Sequence, residues 1–135
     1  ESLKIYGNAV VGISGFETDS NFFLTARDKS VFGGYLKAHN INFKLFDSKV
    51  VLKGSANRLF LECSEKSTVD MSDYALHNAD IILRSESEAI LKVSNDINAV
   101  LTGTSILYYV GTPSFRNTSI SDDSFIEQRF ITQGN

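Results

Sequence analysis

The sequence predicts an all-β chain, wound as a single-stranded, right-handed parallel β-helix of about six coils with a repeat of about 19 residues. Three observations carry this. Six asparagines, Asn21, Asn40, Asn57, Asn78, Asn98 and Asn117, recur at gaps of 19, 17, 21, 20 and 19 residues. Each precedes a pair of apolar residues in alternation. Each pair is followed by a small or polar corner, with no helical period anywhere between.

The first strand of each coil is marked by Phe22 and Leu24, Phe43 and Leu45, Leu59 and Leu61, Ile81 and Leu83, Ala99 and Leu101, then Thr118 and Ile120. The corners read ARDK, DSK, CSEK, SESE, GTS and SDD. A second strand follows each corner, marked by Ser30 and Phe32, Val50 and Leu52, Val69 and Met71, Ala89 and Leu91, and Leu107 and Tyr109; the last corner leads into SFI. Strands of three to five residues cannot stand as hairpins, so they must stack coil on coil at about 4.8 Å. The asparagines are expected at the bends, where Asn tolerates a left-handed backbone and can bond up a column. One inward column is expected to hold Leu24, Leu45, Leu61, Leu83, Leu101 and Ile120, and a corner column Ala26, Asp47, Cys63, Ser85, Gly103 and Ser121. Pro113, the single proline, falls outside the strand pairs. A β-sandwich with strands every 8 to 12 residues is the competing architecture.

Composition narrows the function. At 135 residues the chain is expected to form one domain spanning 1–135. It carries 13 basic and 16 acidic residues, a net charge of -3, which argues against nucleic acid. No apolar run reaches the roughly 18 residues of a membrane span. One cysteine rules out an internal disulfide. The chain begins at Glu1 without an initiator Met, so a processed chain with its signal peptide removed, or a fragment of a longer protein, is expected.

Chemistry is sparse. His39 and His77 should lie two coils apart, roughly 10 Å, too far to share a metal. There is no Gly-x-Ser-x-Gly, and no His is placed by sequence to activate a Ser. Gly12-Ile13-Ser14-Gly15 lacks the Lys and helix of a phosphate loop. No cofactor or metal is expected. The corner acids Glu86, Glu88, Asp122 and Asp123, with Glu65 a coil below, form a weak candidate cluster for calcium or acid–base work. Arg27, Lys29, Lys49, Lys66 and Arg84 share those corners, which favours a charge-balanced surface.

The outward wall is more informative. Phase puts Phe23, Lys44, Phe60, Ile82, Val100 and Ser119 outside on the first strand, and Val31, Val51, Thr68, Ile90 and Tyr108 outside on the second. The candidate binding wall is Phe23, Phe60, Ile82, Val100 and Tyr108, to be covered by a second copy, a missing domain, a partner protein or a surface glycan.

The stretches ADIILRSESEAILKV, NAVLTGTSILYYVGTP and TSISDDSFI, within Asn57 to Ile126, resemble the head GIN domain family of auto-transporter adhesins. The YYVGTP end, with Tyr108, Tyr109, Gly111 and Pro113, is the most specific part; Gly7 to Lys53 fits the period but matches less well. The family's Gly-rich corners are replaced here by SESE, CSEK and SDD. The resemblance implies a β-helix exported to the periplasm or cell surface, and brings no catalytic residues. A non-enzymatic scaffold or adhesion-like module is the leading expectation. A polysaccharide lyase or hydrolase acting through Glu86, Glu88 and Asp122 is the alternative.

Overall fold

Alternating in-and-out residues with no helical stripe leave strand pairing as the only way to satisfy this backbone. The computed structural model describes residues 2–129 and shows that outcome, a β-solenoid of about seven turns with a repeat of about 19 residues. Its strands are β1 (Ser2–Ile5), β2 (Val10–Glu17), β3 (Asn21–Ala26), β4 (Val31–Lys37), β5 (Asn40–Phe46), β6 (Lys49–Ser64), β7 (Thr68–Leu83), β8 (Glu88–Leu101), β9 (Ile106–Val110), β10 (Ser114–Ile120) and β11 (Phe125–Gln128). Every pairing is parallel. Two ladders result. Side A runs β1, β3, β5, the second halves of β6, β7 and β8, then β10. Side B runs β2, β4, the first halves of β6, β7 and β8, then β9 and β11.

Three strands far exceed the expected three to five residues: β6 and β7 have 16 each and β8 has 14. The chain turns from side B to side A without leaving the strand conformation. Register shifts at 51/53, 71/75 and 76/78 take up the bend. Gly54 serves the same turn. Its φ is +138°, and a Cβ there would stand 1.9 Å from the Leu36 carbonyl oxygen, so only glycine fits.

The bends between side A and side B are different from those expected. None of the six asparagines of the comb has a left-handed backbone. The left-handed positions of these bends are Gly7 and Asn8, Asp28 and Lys29, Asp47, Glu65 and Lys66, Ser85 and Glu86, Gly103 and Thr104, and Asp122 and Asp123. Nor do the asparagines form one column. Asn21 and Asn40 pair, but the next coils put Arg58, Asn78 and Asp96 in that row. Two links of the expected side-chain ladder do exist: Asn40 Nδ2 donates to Asn21 Oδ1 at 3.1 Å, and Asn117 Nδ2 to Asn98 Oδ1 at 3.4 Å.

Serine holds the bends instead. The first of these segments leads to Ala9, and immediately after each of the other six stands a buried serine: Ser30, Ser48, Ser67, Ser87, Ser105 and Ser124. Its hydroxyl donates back across the bend, as from Ser67 to the Ser64 carbonyl at 2.8 Å, Ser87 to Arg84 at 2.7 Å and Ser105 to Thr102 at 2.8 Å. The same oxygen accepts the backbone N–H of the serine one coil earlier, from Ser48 to Ser67, Ser87 to Ser105 and Ser105 to Ser124. Ser67 and Ser105 thus each close their own bend and tie it to the neighbouring coil, which is how a buried polar column avoids a desolvation penalty.

Inside, the core columns are tighter than the expected set, which mixed two neighbours. Leu24, Phe43, Leu61, Ile81 and Ala99 form one column, and Ala26, Leu45, Cys63, Leu83 and Leu101 the next. Both Leu83 and Leu101 are fully buried neighbours, as the phase predicts. Cys63 and Ala26 are core residues, not corner ones. Burial pushes the Cys63 thiol far above its usual range, with Glu62 adding to the effect. In the first coils the core is aromatic, with Phe16, Phe22, Phe32 and Phe43 in successive ring contact at 5.9, 6.1 and 6.4 Å. Pro113 lies between β9 and β10, outside the ladders.

Candidate ligand-binding wall

Because strand side chains alternate, the burial of Leu59, Leu61 and their equivalents forces the residues between them onto the outer face of side A. Parallel pairing sorts these into two columns. One holds Phe23, Asn42, Phe60, Asp80 and Asn98. The other holds Thr25, Lys44, Glu62, Ile82, Val100 and Ser119. The expected single stripe of Phe23, Phe60, Ile82 and Val100 is thus split, the two phenylalanines in one column and Ile82 and Val100 in the next. Coils of unequal length cause the split, since the residue between the inward pair is not always at the same row.

Three of the expected wall residues nevertheless meet. Phe60, Ile82 and Val100 floor an open depression of about 380 Å³. Asn42, Asp80, Asn98 and Asn117 border it on one side, and Lys44 and Glu62 on the other. Phe23 is on the same wall, two coils before Phe60. Tyr108 belongs elsewhere: it is on side B, in the column of Val51, Asp70 and Ile90. There its ring packs edge-on to Phe125 at 6.5 Å and lies 3.8 Å beneath the Arg129 guanidinium.

The charges of the depression are largely neutralised within the wall. Arg58 Nη1 is 2.6 Å from Asp80 Oδ2, and its guanidinium lies 5.8 Å from the centre of the Phe60 ring. Arg84 Nη1 is 2.8 Å from Glu62 Oε2. The amides are linked in a rail: Asn98 Nδ2 donates to Asp80 Oδ1 at 2.6 Å, and the Asn117 backbone N–H donates to Asn98 Oδ1 at 3.2 Å. Sequence reasoning passed over Asn42 and Asp80, because neither interrupts an apolar pattern. The signal was the polar residue preceding each inward apolar residue.

The corner acids do not converge. An extended corner would aim Glu86 and Glu88 alike, but Ser85 and Glu86 are left-handed and the buried Ser87 intervenes. Glu86 stays at the corner, 3.7 Å from Lys66, with both side chains well exposed. Glu88 opens side B, in register with Thr68 and Ile106. Asp122 and Asp123 are exposed at the last corner, where Asp122 Oδ2 accepts the Gly103 N–H at 3.3 Å. Among the described residues no group of three His, Cys, Asp or Glu could hold a metal ion. At the turn from side B to side A, His77 Nδ1 lies 3.2 Å from Ser94 Oγ, a contact that sequence reasoning missed. The Ser94 Oγ also lies within hydrogen-bond distance of the Leu76 carbonyl, at 3.3 Å.

The model of the family described as "Putative auto-transporter adhesin, head GIN domain" matches residues 1–113. The chain belongs to this family. The match takes in the early coils around Gly7 to Lys53, which resemble the family less in sequence, and ends at Pro113, before TSISDDSFI. Membership implies an exported protein, and the family's name fits a binding module rather than an enzyme. No curated protein and no solved structure gives a significant match to the chain.

Proposed function

We propose that this domain is a non-enzymatic adhesion module of the periplasm or cell surface, which holds a partner against the outer wall of side A. The observation that carries the reading is the depression over Phe60, Ile82 and Val100, an apolar floor with a hydrogen-bonding border. Phe60 and Val100 are 42% and 41% exposed, although the strand phase leaves a polar residue equally acceptable there. The separation of Glu86, Glu88 and Asp122 supports binding over the catalytic set expected from the sequence, and Glu86, which shares an open corner depression with Asp47 and Glu65, is paired there with Lys66.

Beads coated with the protein should be retained on a mucin-coated surface, a probe that carries both glycan and protein. Phe60→Glu with Ile82→Lys should cut retention at least tenfold while leaving the far-ultraviolet dichroism unchanged. A parent that is not retained, or a folded double variant retained like the parent, overturns the proposal.

A further inference from the structure

We infer that the side-A depression is a subsite for an uncharged glycan chain lying along the solenoid axis, with a sugar ring on Phe60 and hydroxyls on the asparagine rail. This rests on the adhesion reading above and names its ligand class.

The hydrogen-bonding groups on offer are matched to hydroxyls. An asparagine amide has two donors and an acceptor oxygen with two lone pairs. Asn98 spends one N–H on Asp80 and its oxygen on Asn117, leaving one N–H for a ligand. Asn117 keeps its carbonyl oxygen and a second N–H. The Asn42 side chain makes no hydrogen bond among the described residues. Free donors and acceptors therefore both line the wall, and a hydroxyl, being both, can meet either.

Charge points the same way. Of the three charged residues at the depression, Asp80 and Glu62 are already paired with Arg58 and Arg84, and only Lys44 stands without an ion pair. An anionic chain would meet one cation and two carboxylates, and a cationic chain would have to displace two arginines. An uncharged chain disturbs neither pair.

Area argues against a second copy of the chain. Phe23 and Phe60 are 45% and 42% exposed and Val100 41%. With about 150–250 Å² for a whole aromatic side chain, the three leave roughly 250 Å² of apolar surface. A stable protein interface takes about 800 Å² from each partner, of which roughly 450 Å² is apolar. A single ring stacked on Phe60 and flanked by amides needs far less. Stacked coils repeat at about 4.8 Å, so Asp80, Asn98 and Asn117 present polar groups at a step close to that of successive sugars in an extended chain.

The test is calorimetric titration of the intact protein with neutral hexasaccharides (gluco-, manno-, xylo- and chito-oligosaccharides) and with an acidic one, hexagalacturonate. At least one neutral probe should bind with a sub-millimolar Kd that changes less than twofold between about 50 mM and 500 mM salt. Phe60→Ala should weaken it at least tenfold and Asn98→Ala about three- to tenfold. Phe60→Leu keeps an apolar side chain but removes the ring, so it should weaken binding without any question of folding. Preference for hexagalacturonate with a steep salt dependence, or neutral binding indifferent to Phe60→Leu, overturns the inference. If no oligosaccharide binds but mucin retention still depends on Phe60 and Ile82, the glycan fails while the adhesion reading stands. If both readouts are silent, both fall.

Discussion

Replacing Ser105 with alanine isolates what the serine column contributes. Ser105 is fully buried, and its hydroxyl does two things: it donates to the Thr102 carbonyl at 2.8 Å and accepts the Ser87 N–H at 3.3 Å. The Thr102 residue is half-exposed, so water can take over its carbonyl. Ser87 is 1% exposed, so its N–H would be orphaned in the core. An orphaned buried donor costs about 1–3 kcal/mol, so a loss near 2 kcal/mol is expected. Unfolding entropy of about 2.1 cal/mol/K per residue gives about 0.28 kcal/mol/K for this chain, and the loss becomes a fall in Tm of about 7 °C. The assay is urea and thermal unfolding followed by dichroism, with Ser94→Ala as control. Ser94 is exposed, so its change should stay within about 0.5 kcal/mol. A Ser105→Ala protein no less stable than Ser94→Ala would refute the claim that the hydroxyl column ties bend to bend.

Leu101→Ala should lose about 2–5 kcal/mol by urea unfolding, because Leu101 is fully buried in register with Leu83; a loss below about 0.5 kcal/mol would mean the register is wrong. Gly54→Ala should lose at least about 3 kcal/mol or leave no folded protein, since the added carbon collides with the Leu36 carbonyl oxygen in a backbone that L side chains rarely adopt. The Cys63 thiol, fully buried and held protonated by that burial, should resist a thiol reagent at pH 8 in native protein and react at once in urea. Fast labelling of the folded protein would place Cys63 outside the core.

The repeat was legible because the inward apolar pairs keep their phase through every coil, and phase is a local property of strands. Register was not, because it depends on how many residues each bend consumes. The asparagine comb shows the difference. Its uneven gaps of 17 and 21 arise because Asn57 stands one position before the row of Asn40 and Asn78, which Arg58 occupies. Asn98 stands two positions after that row, beside Asp80. The serines at 30, 48, 67, 87, 105 and 124 keep gaps of 18, 19, 20, 18 and 19, and they were visible as the polar residue preceding each second apolar pair. Composition hid them, because serine is common in this chain and has no helix or strand signature of its own. The same uncertainty in register separated Phe60 from Tyr108: alternation puts both outside, but only the bends decide that one faces side A and the other side B.

Stability and the proposed recognition rest on different atoms of the same coil. The solenoid is held by inward leucines, by the serine column at one bend and by glycine and bulges at the other. None of these reaches the outer face of side A. Conversely, the ion pairs on that face are partly exposed, Arg58 with Asp80 at 35% and 28% and Arg84 with Glu62 at 50% and 35%, where screening leaves such pairs worth about a kcal/mol or less. Phe60, Asn98 and Lys44 can therefore change without unfolding the coil that carries them, whereas Ser87 or Leu83 cannot. A flat wall of parallel strands also fixes the spacing of whatever it displays, because each added coil repeats the same step along the axis. Altering what the wall displays is then a matter of changing outward residues row by row. Altering how long a ligand it spans is a matter of changing the number of coils. Such a scaffold suits recognition of extended, repeating partners better than a single closed pocket would, and it is this separation that lets the wall be tested by substitution while the fold stays constant.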